Sequence, residues 1–137
     1  MKEIKYYEAT AEKKRVLVKR IKEVISKEEK VFLAIIYGSF TRRSFFRDID
    51  MAVYTGGLVD DFLRFETELC LKLTKATGVQ VDVRAVDEAP AWFKLKVACE
   101  GTVIYEKFPG AYGLFLKEAV GEYQDIQLKY KYIKPKC

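Results

Sequence analysis

The chain has no histidine, no asparagine, only three prolines and three cysteines. No apolar run approaches the ~20 residues that a membrane-spanning helix needs. Each absence removes a class of function. Without histidine there is no serine triad, no histidine nucleophile and no imidazole general base. Carboxylate and metal chemistry is what remains for catalysis. Cys70, Cys99 and Cys137 are odd in number and widely spaced, which argues against a zinc site or a disulfide framework. Cys70 and Cys99 are expected to be buried small apolar residues, and Cys137 a free thiol. The opening Met1-Lys2-Glu3 has no secretory apolar region, so a cytoplasmic protein with no membrane segment is expected. The missing asparagine and the abundance of lysine and glutamate also fit a thermophilic composition; a melting temperature in the ordinary mesophile range counts against that expectation.

What is present is an ordinary globular mixture, with 50% apolar and 33% charged residues in 137, enough for one domain with a real core over residues 1–137. The net charge of +5 is unevenly placed: residues 1–30 carry ten Lys/Arg against six Glu, residues 109–137 five against three, and residues 31–60 three against three. The excess lies at the two ends. It reads as solvated basic helix surface rather than a nucleic-acid face. The final Lys129-Tyr130-Lys131-Tyr132 leaves open a small nucleic-acid binder in which the tyrosines stack on bases; such binding would weaken steeply with salt.

Periodicity gives the order α-β-α-β-α-β-α-β-α. Thr10 caps an amphipathic helix carrying Leu17, Ile21, Val24 and Ile25 on one face and ending near 27–30. Residues 31–37 form a buried apolar strand, Gly38-Ser39 a turn opening a short helix, and residues 48–54 a return strand. Asp60-Asp61 opens a second long helix, with Phe62, Leu63, Phe65, Leu69 and Leu73 as its apolar positions, stopped by Gly78. Residues 79–86 alternate as a strand, with Val79, Val81 and Val83 facing the core. Asp87 to Pro90 reads as the first turn of a helix running to about Glu100. Residues 102–106 form a last strand, and an aromatic helix follows Pro109-Gly110, with a break predicted near Gly121. The fold class is α/β or α+β, a small mixed sheet flanked by helices.

Three acids stand on the exposed faces of apolar strands. Asp48 and Asp50, two residues apart, point to one side, with carboxylates ~6–7 Å apart along the strand. If the strand bearing Asp82 is the neighbour, like charges ~5 Å apart at an effective dielectric of ~20 repel by ~3 kcal/mol per pair. Protons or a cation must relieve that. Hard oxygen ligands suit Mg2+ or Mn2+. An isolated Asp-x-Asp is more often a pair of strand-edge residues salt-bridged to a neighbour such as Arg47 or Arg84. The Gly-Ser turn upstream and a third acid downstream shift the balance towards a site.

Gly38-Ser39, Asp48-Ile49-Asp50 and Asp82 on a following strand together resemble the signature of the DNA polymerase beta-like nucleotidyltransferase superfamily, and the small size resembles its minimal nucleotidyltransferase (MNT) branch. The resemblance covers about residues 31–108. It implies the polymerase beta-like fold, with the first and last helices packed around that core. It implies that Gly38, Ser39 and Arg42 bind the phosphates of a nucleoside triphosphate, with ATP as substrate. Asp48, Asp50 and Asp82 would be catalytic and hold the metal, and Asp82 would help deprotonate the acceptor hydroxyl. Arg43 stands where the family usually has glycine, and the span from Ser39 to Asp48 is short, so the turn there is expected to differ or to carry strain.

The activity implied is metal-dependent transfer of NMP, AMP from ATP, to a hydroxyl. For the minimal branch the acceptor is a tyrosine of a partner HEPN toxin, giving an antitoxin role. Two other readings stay open: a module that neutralises its partner by contact alone, and the nucleic-acid binder above. A homo-oligomer through the last helix is also compatible with the sequence.

Overall fold

A computed structural model describes residues 7–8, 10–43 and 45–133, with side chains described for 10–43 and 45–129. The described elements run β1 (Tyr7–Glu8), α1 (Ala11–Ile25), β2 (Leu33–Tyr37), α2 (Ser39–Arg42), β3 (Phe45–Phe46), β4 (Ile49–Tyr54), α3 (Phe62–Thr77), β5 (Val81–Ala85), α4 (Ala91–Glu100), β6 (Thr102–Glu106) and α5 (Ala111–Ile133). Four strands form a mixed sheet in the order β5-β4-β2-β6. β2 is antiparallel to both β4 and β6, and β4 is parallel to β5.

Alternation along each strand sends side chains to both faces, and helices cover both. Ala34, Ile36, Met51, Val53, Val81 and Val83 pack with Leu17, Ile21, Ile25, Leu69 and Leu73 of α1 and α3. On the other face Leu33, Ile35, Ala52 and Tyr54 pack with Val97, Ala98 and Phe115 of α4 and α5. Each fully buried Ile or Leu contributes about 2 kcal/mol by removal from water.

Caps fix the helix ends that the sequence announces. The Thr10 hydroxyl accepts from the Lys13 amide at 3.1 Å, and the Asp61 carboxylate accepts from the Arg64 amide at 3.1 Å. Gly78 takes φ +75 after α3, a left-handed stop. Gly101 lets the chain turn from α4 into β6 directly against β2, where an added Cβ would collide with Ile35 Cγ2.

Three expectations need correction, and one small element carries no sequence signal. α4 starts at Ala91 with Pro90 as its cap, because Asp87 is committed elsewhere: it accepts from the Thr55 amide and hydroxyl, each at 3.0 Å, and from the Gly57 amide at 3.1 Å. α5 runs through Gly121 without a break. The small ribbon of β1 and β3, with Tyr7 opposite Phe46, has no periodic signal at two residues a strand. Cys99 is exposed and Cys70 half-buried, where the sequence reading had both buried; the Cys70 thiol donates to the Val81 carbonyl at 2.8 Å. Cys137 and the side chains of Tyr130 and Tyr132 lie outside what is described. Among the described residues, no helix is long and apolar enough to cross a membrane.

Candidate active site

The acids meet at one end of the sheet because of strand register. β2 ends at Tyr37, which lies opposite Asp50 in the antiparallel pair. Asp50 is in turn level with Asp82 across the parallel pair. Tyr37, Asp50 and Asp82 therefore share one row on one face. Asp48 sits one residue before β4, on the turn from β3. Freed from the strand repeat, its carboxylate closes on the others: one oxygen from each of Asp48, Asp50 and Asp82 lies within 4.8 Å of the rest. That is tighter than the ~6–7 Å expected of an extended i, i+2 pair.

Burial and the neighbouring charges act on the Asp48 and Asp50 carboxyls. The Asp48 carboxyl is pushed above its usual range, first by burial and then by Asp82; Arg47, 3.8 Å away, works in the opposite direction. The Asp50 carboxyl is also raised, by burial, then by Asp48 and Asp82. The Tyr37 phenol is raised by burial and then by Asp50. Gln80 Nε2 donates to Asp82 Oδ1 at 3.1 Å, an orienting contact that the sequence reading missed. Its only signal was the position of Gln80, two residues before Asp82 on the same face of the chain.

Gly38 forms the wall facing these acids. It takes φ +84, which L side chains rarely adopt. A Cβ built there would meet Asp50 Oδ2 at 2.7 Å. Ser39 begins α2, and the Thr41 hydroxyl ties back to the Gly38 carbonyl at 2.8 Å. The first amides of α2 have no acceptor inside the helix and follow directly on Gly38. Gly38→Ala should strain this turn by about 1–3 kcal/mol and displace Asp50, lowering any transfer reaction by about a hundredfold. A kinetic assay alongside a melting curve checks both; wild-type turnover in the variant would show that the close approach has no catalytic role.

Arg43, where strain was anticipated, is extended at φ −119, ψ 155. The turn therefore needs no left-handed residue at that position, and the strain expected there is absent. Arg42 is exposed in the last turn of α2. Among the described residues it has no carboxylate within ion-pair reach.

The donor set fits a divalent cation. Three carboxylate oxygens converge, one side is closed by a glycine that a side chain would block, and two of the carboxyls hold their protons more tightly than normal. A hard cation would relieve that repulsion. A concavity of about 840 Å3 between α1 and α3 is lined by Arg20, Lys27, Lys72 and Lys75 among others and lies away from the acids.

The family described as Polymerase beta, Nucleotidyltransferase matches residues 19–109, a span that contains Gly38 and all three acids. The chain belongs to that family. This nucleotidyltransferase is also similar in fold to solved structures, among them the following. One is the MNT antitoxin in complex with a tri-AMPylated HEPN toxin from Shewanella oneidensis, at 22% identity and TM-score 0.67, covering 88% of this chain and 94% of that one. Another is a toxin-antitoxin structure with AMP-PNP, at 24% identity and TM-score 0.69, covering 85% and 94%. A third is the toxin-antitoxin MntA-HepT, at 21% identity and TM-score 0.63, covering 90% and 95%. A search of curated proteins finds no match.

Proposed function

We propose that the chain is a metal-dependent nucleotidyltransferase that moves AMP from ATP to a hydroxyl, the acceptor being a tyrosine of a partner HEPN-type toxin that the transfer silences. The observation that carries this reading is the convergence of Asp48, Asp50 and Asp82 within 4.8 Å beside Gly38. Family membership supports the reaction class. The solved complexes with an AMPylated HEPN toxin and with AMP-PNP support the acceptor and the nucleotide.

In this reading Asp48, Asp50 and Asp82 hold Mg2+ or Mn2+, which when bound supplies charge neutralisation at the phosphates and activation of the attacking oxygen. Gly38 gives the triphosphate room for close backbone approach, and Ser39 with the first amides of α2 binds its terminal phosphates. Arg42, exposed and with no ion-pair partner among the described residues, can grip a phosphate oxygen. The acceptor oxygen attacks the α-phosphorus, the bond to the β-phosphate breaks, and pyrophosphate leaves. Asp82, the most exposed of the three acids, takes the acceptor proton, while Gln80 holds its other oxygen in place.

Incubation of the chain with labelled ATP, Mg2+ and a HEPN partner should label the partner. Asp48→Ala should abolish the label. If that variant labels the partner as well as wild type does, the assignment fails; if the partner binds tightly and is silenced without label, neutralisation by contact is the correct reading.

A further inference from the structure

Beside the acids lies an aromatic and cationic patch that the phosphate and metal chemistry does not use. Arg84 is two residues beyond Asp82 on β5 and therefore on the same face, about 7 Å further along the strand. Its guanidinium lies 5.1 Å from the centre of the Phe93 ring. Phe93, at the start of α4, also meets Tyr37 edge-on, at 5.8 Å between ring centres. Ala52, level with Arg84 and opposite Ile35 in the next row of this face, is a small residue beside the ring. Trp92 packs edge-on against Phe93 at 5.7 Å and is 61% exposed. Tyr37 is level with Asp50, so the row of groups is continuous from the acids to Trp92.

The chain contains one tryptophan. Burial of its ring would repay far more apolar area than the Phe93 edge covers. An exposed indole and a guanidinium that both pack on Phe93, close to the acid row, suit a flat nitrogen heterocycle. Aromatic and arginine side chains both stack on nucleobases.

Resting on the transferase reading above, we propose that Trp92 and Arg84, backed by Phe93, form the platform that receives the purine base of the donor nucleotide. The platform would set the preference for a purine over a pyrimidine or a bare triphosphate. It is a binding determinant and leaves the reacting atoms to the three acids.

The lone tryptophan is its own reporter. Mg-ATP and Mg-tripolyphosphate are titrated separately against the full chain, following both heat and Trp92 fluorescence. ATP is expected to change the fluorescence and to bind roughly tenfold more tightly than tripolyphosphate, which should bind with the emission unmoved. Trp92→Ala and Arg84→Ala replace exposed side chains and should each weaken ATP about tenfold, leaving tripolyphosphate affinity and the melting curve unchanged. Equal affinity for the two ligands with silent fluorescence overturns the platform while sparing the transferase reading. So does a Trp92→Ala enzyme with normal KM for ATP and a raised KM for the acceptor, which would give the patch to the acceptor instead. Failure of both ligands to bind in the presence of Mg2+ removes the transferase reading, and the platform with it.

Discussion

Asp50→Asn is expected to reduce nucleotidyl transfer by on the order of a thousandfold while making the metal-free protein more stable. A bound divalent ion supplies several kcal/mol at the transition state, and about 4 kcal/mol corresponds to that factor. Asparagine keeps the size of the side chain and removes one of three crowded charges. The stability sign follows from the raised carboxyls of Asp48 and Asp50. A folded-state pKa above the unfolded value means that the native state binds more protons in the window between them. Stability is therefore present at low pH and lost as pH rises from about 4 through the raised values. At neutral pH the metal-free wild type carries that penalty and the asparagine variant carries less of it. A gain of about 1 kcal/mol would raise the melting temperature by roughly 3 °C. Added Mg2+ should stabilise wild type at neutral pH and lose its effect under acid conditions. An Asp50→Asn protein that is both active and less stable would contradict both parts.

Lys94→Ala should cost about 3 kcal/mol, the largest stability loss expected from any single change discussed here. Lys94 is 1% exposed, yet its ammonium bonds Glu122 Oε1 at 2.8 Å and lies 3.7 Å from Glu118 Oε1. The Tyr54 hydroxyl donates to Glu118 Oε2 at 2.6 Å, and burial followed by this bond raises the phenol pKa. One buried cation thus joins the sheet, α4 and α5. Truncation removes both its packing and its charge, and the two glutamates lose their partner. At this chain length the melting temperature should fall by about 10 °C. Lys94→Met, which keeps the volume, should cost less, because the glutamates are partly exposed and can turn to water. Denaturant titration of the two variants decides the point; a loss under 1 kcal/mol for alanine would show that the network contributes little. Because Lys94 follows Phe93 on α4, the alanine variant should also loosen the wall behind the acids.

What the sequence disclosed, and what it did not, follows the range of the interactions. Helices and strands with long apolar periods were legible, and so were caps whose partners lie three residues away, such as Thr10 and Asp61. Asp48, Asp50 and Asp82 were legible as a set because Asp50 and Asp82 each interrupt an apolar strand and Asp48 immediately precedes one, and register then places Asp50 beside Asp82. The missed features depend on contacts distant in sequence. Asp87 looked like a helix opener, but its partners Thr55 and Gly57 lie about thirty residues earlier. Lys94 reads as a surface lysine until Glu118 and Glu122 are folded onto it. The β1–β3 ribbon is too short to carry a period. Arg43 was judged by a family habit, whereas the backbone here passes that position extended.

The central claim is that the three acids hold a divalent cation and, through it, a nucleoside triphosphate. Calorimetric titration of ATP into the 137-residue chain, with and without Mg2+, tests it most directly. The account predicts binding that requires Mg2+ and that disappears in Asp50→Asn and Asp82→Asn. ATP binding of equal strength without Mg2+, or unchanged in both variants, would contradict it.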